Sequence, residues 1–293
     1  MSFSVQVPIE QFELPHPRGS GTFKISVSRV AHMPEGGKVP VLFVLDGDMG
    51  FALAAEIARL RGTMGARPTA MVVGIGYSVD YAEFAKLRTA DLTPPLSAAG
   101  REALGNMTSF IGDSDGGAEA FLDFLTQTLA PEIERRYPEA SPTDRILFGH
   151  SLGGLFTAYA LLTRPEAFST FLVNSPSLWW DGFAILSHLP GFAAKLAGLD
   201  RQPRVLIGVG AEEQDLPTKV PPGLEMTLAD VQAMVTMSRM VDAVPEFAAA
   251  LRDGGLTDVA HIIFDGEDHG SVIPVAMMRG LRFAVPDPTQ APN

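Results

Sequence analysis

Cysteine is absent from this 293-residue chain. That removes disulfides, a cysteine nucleophile, thiolate zinc sites and iron–sulfur clusters together. Basic residues are the minority: 22 Lys and Arg stand against 34 Asp and Glu, a formal charge of −12 at pH 7. Affinity for nucleic acid or for an anionic membrane surface rests mostly on Lys/Arg electrostatics, so neither is expected as a partner. A local basic spot inside a pocket is compatible with this balance. Long apolar runs are also missing: no window approaches the roughly 18 consecutive apolar residues of a membrane span. The first residues, MSFSVQVPIEQFELPHPRGSG, lack a basic start and an apolar run of about 7–15 residues, the two marks of a secretory signal. A soluble protein acting in the cytoplasm is the expectation.

What is present is a hydrophobic fraction of 46%, enough for a large core and too much for a disordered chain. The length alone would suggest two domains at about 150 residues each, yet single α/β domains reach this size. The order of elements favours one domain over 1–293. Residues 22–30 (TFKISVSRV) alternate polar and apolar, as in a half-buried antiparallel strand. Residues 39–45 (VPVLFVL) form a continuous apolar run, as in a strand buried on both faces. A helix follows, with Leu53, Ile57 and Leu60 on one face and Gly62 as its stop. Apolar strands are then expected at 71–75, 145–148 (RILF), 170–173, 205–209 and 259–264. Phe121, Leu125, Leu129 and Ile133 mark a long helix that Pro131 is placed to kink, and helices are expected at 240–251 and 272–283.

Strands alternating with helices imply a mostly parallel sheet covered on both faces, with the ligand site at the carboxyl ends of the strands. Two stretches break the alternation: 78–117, rich in Pro, Gly, Ser and Asp, and 214–236, with Pro217, Pro221, Pro222 and Gly223 before a helix beginning near Leu228. Long irregular connections usually serve a site, so both are expected to be lid-like insertions.

The loop after RILF reads Gly149-His150-Ser151-Leu152-Gly153-Gly154 and leads into the helical LFTAYALL. This is G-x-S-x-G in a strand–turn–helix setting, the nucleophile elbow. The two backbones pass closely there, so Gly149 and Gly153 are expected to supply the missing bulk, with Ser151 lifted off the sheet in a strained conformation. A serine needs a histidine base held by a carboxylate, in the chain order Ser, acid, His. Of six histidines, His16 and His32 precede the serine, His150 adjoins it and is expected to point away, His188 precedes the last two strands, and His261 alternates within a strand. His269 remains, in the loop FDGEDHG after the last strand. The acid is expected after 205–209, where Glu213 stands three residues beyond Gly210; Glu212 and Asp215 are the alternatives. Oxyanion donors are expected from the N–H of Leu152 and from the loop Asp46-Gly47-Asp48-Met49, with Asp48 ahead of Met49.

These segments resemble a known family. GHSLGGLFTAYALLTRPEAF, the following NSPSLWW and the histidine loop are similar to the "putative esterase" branch of the α/β-hydrolase superfamily, which includes the enterobactin and salmochelin (siderophore) esterases and, more distantly, feruloyl esterases and esterase D. LDGDMGF resembles its oxyanion loop, and RTADLTP (88–94) its R-x-x-D-x-T-P segment. The resemblance covers about residues 38–283 and implies ester hydrolysis through an acyl-serine, on a small-molecule ester, without metal or organic cofactor. Arg88 would then pair with an anionic substrate or carry its loop through Asp91; Trp179 and Trp180 would stack on an aromatic acyl group or fill a hydrophobic wall. Thioester hydrolysis of the S-formylglutathione hydrolase kind, acyl transfer, and a non-catalytic binding module on the same fold are the rival readings.

Overall fold

In the computed structural model, which describes residues 8–19, 21–29, 37–63, 69–104, 116–221 and 226–287, eight strands form one sheet. The strands are β1 (Glu10–Pro15), β2 (Thr22–Ser28), β3 (Val39–Val44), β4 (Met71–Tyr77), β5 (Ala140–His150), β6 (Thr170–Asn174), β7 (Arg204–Gly210) and β8 (Asp258–Phe264). Their spatial order is β1-β2-β4-β3-β5-β6-β7-β8. The β1–β2 and β2–β4 pairs are antiparallel, and every other pair is parallel. The chemistry agrees with the position of each strand. MVVGIGY, in β4, is buried at every position, as a strand covered on both faces must be.

The helices are α1 (Gly47–Thr63), α2 (Tyr81–Leu92), α3 (Ala98–Leu104), α4 (118–136), α5 (Leu152–Thr163), α6 (Leu189–Ala197), α7 (Leu228–Ser238), α8 (Ala243–Asp253) and α9 (Val272–Ala284). The sheet separates two apolar layers. On one face Phe23, Phe121, Phe156, Phe171 and Phe247 belong to the larger cluster with α4, α5 and α8. On the other, Phe51 of α1 and Met277 and Leu281 of α9 close over Leu42, Phe148 and Leu172. The parallel strands all deliver their carboxyl ends to one edge of this sandwich, and β5, β6, β7 and β8 do so side by side.

Several details depart from the sequence reading. β1 has no clear signal in the sequence: only Phe12 and Leu14 of its EQFELP pack on the core, because it is an edge strand with most of its length in solvent. β5 begins five residues before RILF, at Ala140, and its register with β3 shifts between Val39 and Val41. Phe121, Leu125, Leu129 and Ile133 are buried as the spacing requires, but α4 answers Pro131 with a π-helical stretch, Phe124–Leu129. Pro131 has no N–H to give, so the bond ladder shifts instead of breaking. Inside 78–117 the structure places two helices, α2 and α3, where an irregular connection was expected; Asp80 caps α2 by accepting the Glu83 N–H at 3.0 Å. Within 214–236, α7 starts at a Thr227/Asp230 capping box. Residues 105–115 and 222–225 of these stretches, and Val30 of the expected first strand, lie outside the described residues. Among the described residues no helix is long and apolar enough to cross a membrane.

Candidate active site

The turn between β5 and α5 holds Ser151 at φ 59°, ψ −118°, partly exposed at the mouth of the sheet edge. A non-glycine residue occupies such a conformation only where its surroundings dictate it. Here the tightness is measurable. A Cβ on Gly149 would lie 2.0 Å from the Gly153 carbonyl oxygen, and one on Gly154 would lie 2.5 Å from the Asn174 carbonyl oxygen. Gly153, by contrast, has room: its nearest neighbour would be an Asp46 carboxylate oxygen at 3.4 Å. The obligatory small residues are therefore Gly149 and Gly154, a correction to the expected pair of 149 and 153. The reason is that α5 leans its third residue, not its second, onto the β6 end.

His269 and Glu213 meet at 2.6 Å, Nδ1 to Oε2. An ionised carboxylate only accepts, so Nδ1 is the donor in this bond and Nε2 points elsewhere. Glu213 lies in a 3₁₀ turn, Ala211–Gln214, whose geometry sends its other oxygen back to the Gly210 N–H at 2.7 Å. Its side chain is 1% exposed, against 49% for His269. Glu212 and Asp215 are exposed; the Glu212 N–H donates to the Glu267 carbonyl at 3.0 Å, which ties the two loops together. Asp268 accepts the Gly270 and Ser271 N–H groups at 2.8 and 2.7 Å, and these bonds hold its carboxyl below the usual range while they shape the histidine loop.

Among the described residues no hydrogen bond joins the Ser151 hydroxyl to the His269 ring; it is His150, next to the serine in sequence, that packs on that ring. The His150 ring stands 4.4 Å from the His269 ring, centroid to centroid, and its Nδ1 takes the Asn174 side-chain amide at 2.9 Å. Burial first, then the nearby His269 and Arg88, push the His150 imidazole well below its ordinary range, so it stays neutral. His150 thus faces the histidine loop, where the sequence reading only sent it away from the serine.

Leu152 is buried at the first position of α5, where backbone N–H groups are unpaired by the helix itself. Across from it, Asp46 sits at φ 52° and its carbonyl accepts the N–H groups of Met49 and Gly50 at 2.9 and 3.0 Å. The Met49 N–H is thereby spent, and its side chain is exposed. The Asp48 carboxylate turns away to β4, accepting the Tyr77 N–H at 2.6 Å and pairing with Lys24. Arg88, expected at an anionic substrate or at Asp91, clasps Asp46 with two hydrogen bonds. Asp91 instead is buried against His16 Nε2 at 2.8 Å and the Tyr77 hydroxyl at 3.1 Å. Trp180 is 1% exposed and belongs to the core, as in the hydrophobic-wall alternative; Trp179 is half-buried beside it, ring centroids 6.3 Å apart. Among the described residues no group of three or more His, Asp or Glu could hold a metal ion.

A parallel sheet flanked by helices, with a serine elbow and a histidine–carboxylate pair at its carboxyl edge, defines an α/β hydrolase. The chain belongs to the family described as "Putative esterase", which residues 23–255 match, and it is a carboxylic ester hydrolase. It is 31% identical over 288 residues to the siderophore triacetylfusarinine C esterase of Aspergillus fumigatus, covering 95% of this chain and 93% of that one. With the ferri-bacillibactin esterase BesA of Bacillus subtilis it shares 34% identity over 280 residues, 90% of this chain and 85% of that one. Among solved structures, the siderophore hydrolase EstA from Aspergillus nidulans superposes with a TM-score of 0.80 at 28% identity, covering 97% of both chains.

Proposed function

We propose that the chain is a serine esterase for siderophore-type esters, with Ser151 as nucleophile, His269 as base and Glu213 as the orienting acid. The observation that carries this reading is the 2.6 Å Glu213–His269 bond, which leaves Nε2 free on the loop facing the Ser151 elbow. His269 is half-exposed, and catalytic hydrogen bonds that are open in the free enzyme commonly form only when substrate is bound. In the reaction Nε2 takes the Ser151 proton as Oγ attacks the acyl carbon. The Leu152 and Asp48 N–H groups receive the oxyanion, and His269 returns the proton to the departing alcohol. Water then repeats the sequence on the acyl-serine. Glu213 holds the imidazole tautomer and offsets the charge that forms on it. Trp179 walls the acyl side. No metal or cofactor enters the scheme, and the proposed location is the cytoplasm.

The substrate class follows the relatives, one named a siderophore triacetylfusarinine C esterase and another a ferri-bacillibactin esterase. The test is purified protein against p-nitrophenyl butyrate and against cyclic and linear siderophore triesters, with products identified by mass. Ser151→Ala is expected to abolish turnover and fluorophosphonate labelling while the protein stays folded. Appreciable turnover by that variant overturns the assignment; labelling without release of acid and alcohol would point to acyl transfer, and failure of the intact chain to label at all would point to a binding module.

A further inference from the structure

Just past β6, Ser175 is fully buried, 0% exposed, and sits at φ 41°. A left-handed conformation costs a non-glycine residue free energy, and nothing in the scheme above employs this one. Its N–H donates to the Gly208 carbonyl at 2.7 Å, which locks it to the neighbouring strand. Its hydroxyl donates to Glu213 Oε1 at 2.6 Å. The same oxygen accepts the Gly210 N–H. One carboxylate oxygen thus has two donors from the protein, and the other is left for His269.

The residues on either side face the nucleophile. The Asn174 carbonyl accepts the Ser151 N–H at 3.1 Å, and the Ser177 N–H donates to the Ser151 carbonyl at 3.1 Å. A single stretch, 174–177, therefore grips the serine elbow through its backbone and the acid through one side chain.

A carboxylate free to turn about its last bond would present its oxygens to the imidazole in many orientations. Two donors on Oε1 fix its plane. Because the Glu213 side chain is buried, water is poorly placed to replace a missing donor. We propose that Ser175 is a positioning residue of this esterase: it acts through Glu213, aiming Oε2 at His269 and linking the acid to the strand end that holds Ser151. This inference rests on the triad assignment above.

The experiment compares Ser175→Ala and Ser175→Gly, each alone and combined with Glu213→Gln. It measures kcat and KM on p-nitrophenyl butyrate, the fluorophosphonate labelling rate, and Tm. Both single variants are expected to lose about tenfold or more in kcat, the weight of one hydrogen bond to a charged group, with labelling slowed in parallel and KM changed little. Glycine relieves the φ of 41° and alanine does not, so the glycine variant should melt at least as high as the alanine one while being as slow. A merely structural residue would make activity follow Tm. In the Glu213→Gln background, adding Ser175→Ala should cost less than about twofold, since coupled sites are not additive. Wild-type kcat in both single variants, or an undiminished loss on top of Glu213→Gln, overturns the inference. A Glu213→Gln enzyme with near-wild-type kcat overturns the triad reading and this inference with it; a crippled Glu213→Gln enzyme beside unaffected Ser175 variants overturns this inference alone.

Discussion

Arg88 meets Asp46 edge to edge, Nε donating to Oδ1 at 2.7 Å and Nη2 to Oδ2 at 2.8 Å. The pair binds α2 to the start of α1, at the residue whose carbonyl closes that helix's first turn. Asp46 is buried, so removing its partner leaves a carboxylate in a place hostile to charge; such losses cost about 3–5 kcal/mol. Arg88→Ala should therefore lower Tm and kcat together. The fall in kcat should be equal for neutral and anionic esters if the residue shapes the loop and does not meet the substrate. Arg88→Lys should recover little, since an ammonium cannot reproduce the planar fork. A KM increase confined to anionic esters would instead restore Arg88 as a substrate contact.

The two glycines after Leu152 are predicted to behave oppositely. Gly154→Ala drives a Cβ into the Asn174 carbonyl at 2.5 Å and the Pro176 Cα at 2.9 Å, backbone atoms that cannot step aside. Loss of soluble protein, or a penalty of about 3 kcal/mol, is expected from such overpacking. Gly153→Ala meets only ordinary contacts and gains up to about 1 kcal/mol of helix propensity, so its Tm should hold or rise. Thermal melts of both variants decide; equal destabilisation would refute the geometry of the elbow.

How much of this was legible in the amino-acid order depends on the range of the interaction. The elbow is a local steric demand, and glycine writes it plainly, although which of two adjacent glycines carries the demand needed the position of Pro176, more than twenty residues on. Glu213 stood out from Glu212 and Asp215 because a turn closes on Gly210 three residues before it, again locally. Ser175 and Glu213 are 38 positions apart, and Arg88 and Asp46 are 42 apart. Neither pair has a signature, because contacts between loops depend on how the strands are ordered in the sheet. α2 and α3 are illegible for another reason. The α2 sequence YAEFAKLRTADL has almost no amphipathic contrast, and Gly and Pro on both sides of the helices imitate a loop.

His150 gives the protein an acid sensitivity with a definite sign. Its imidazole lies well below the ordinary 6.5 in the folded chain because it is buried beside His269 and Arg88, whereas the unfolded chain titrates near 6.5. Below that pH the unfolded state binds a proton that the folded state refuses, so stability falls as the solution is acidified and is unaffected above it. Urea titrations between pH 7.5 and about 5 should reveal this slope. His150→Gln, which keeps a hydrogen-bonding partner for Asn174 without titrating, should flatten it. An unchanged slope in that variant would assign the acid sensitivity to other groups.

Asp91 tests whether the RTADLTP segment serves chemistry or structure. Its carboxylate is 1% exposed and accepts from His16 and Tyr77, joining the end of the β1–β2 hairpin to α2. The backbone N–H of Arg18 reaches His16 Nδ1 at 3.2 Å, so the ring proton lies on Nε2 and points at Asp91. Burial also raises the Tyr77 phenol far above its usual range, with the Asp91 charge as the second cause, so the phenol stays a donor at every working pH. Asp91→Ala would leave two buried donors unpaired, each at about 1–3 kcal/mol. The expected result is a Tm lower by several degrees, with kcat and KM on p-nitrophenyl butyrate near wild type at a temperature where the variant is folded. A loss of kcat without a loss of stability would instead move this buried trio into the reaction.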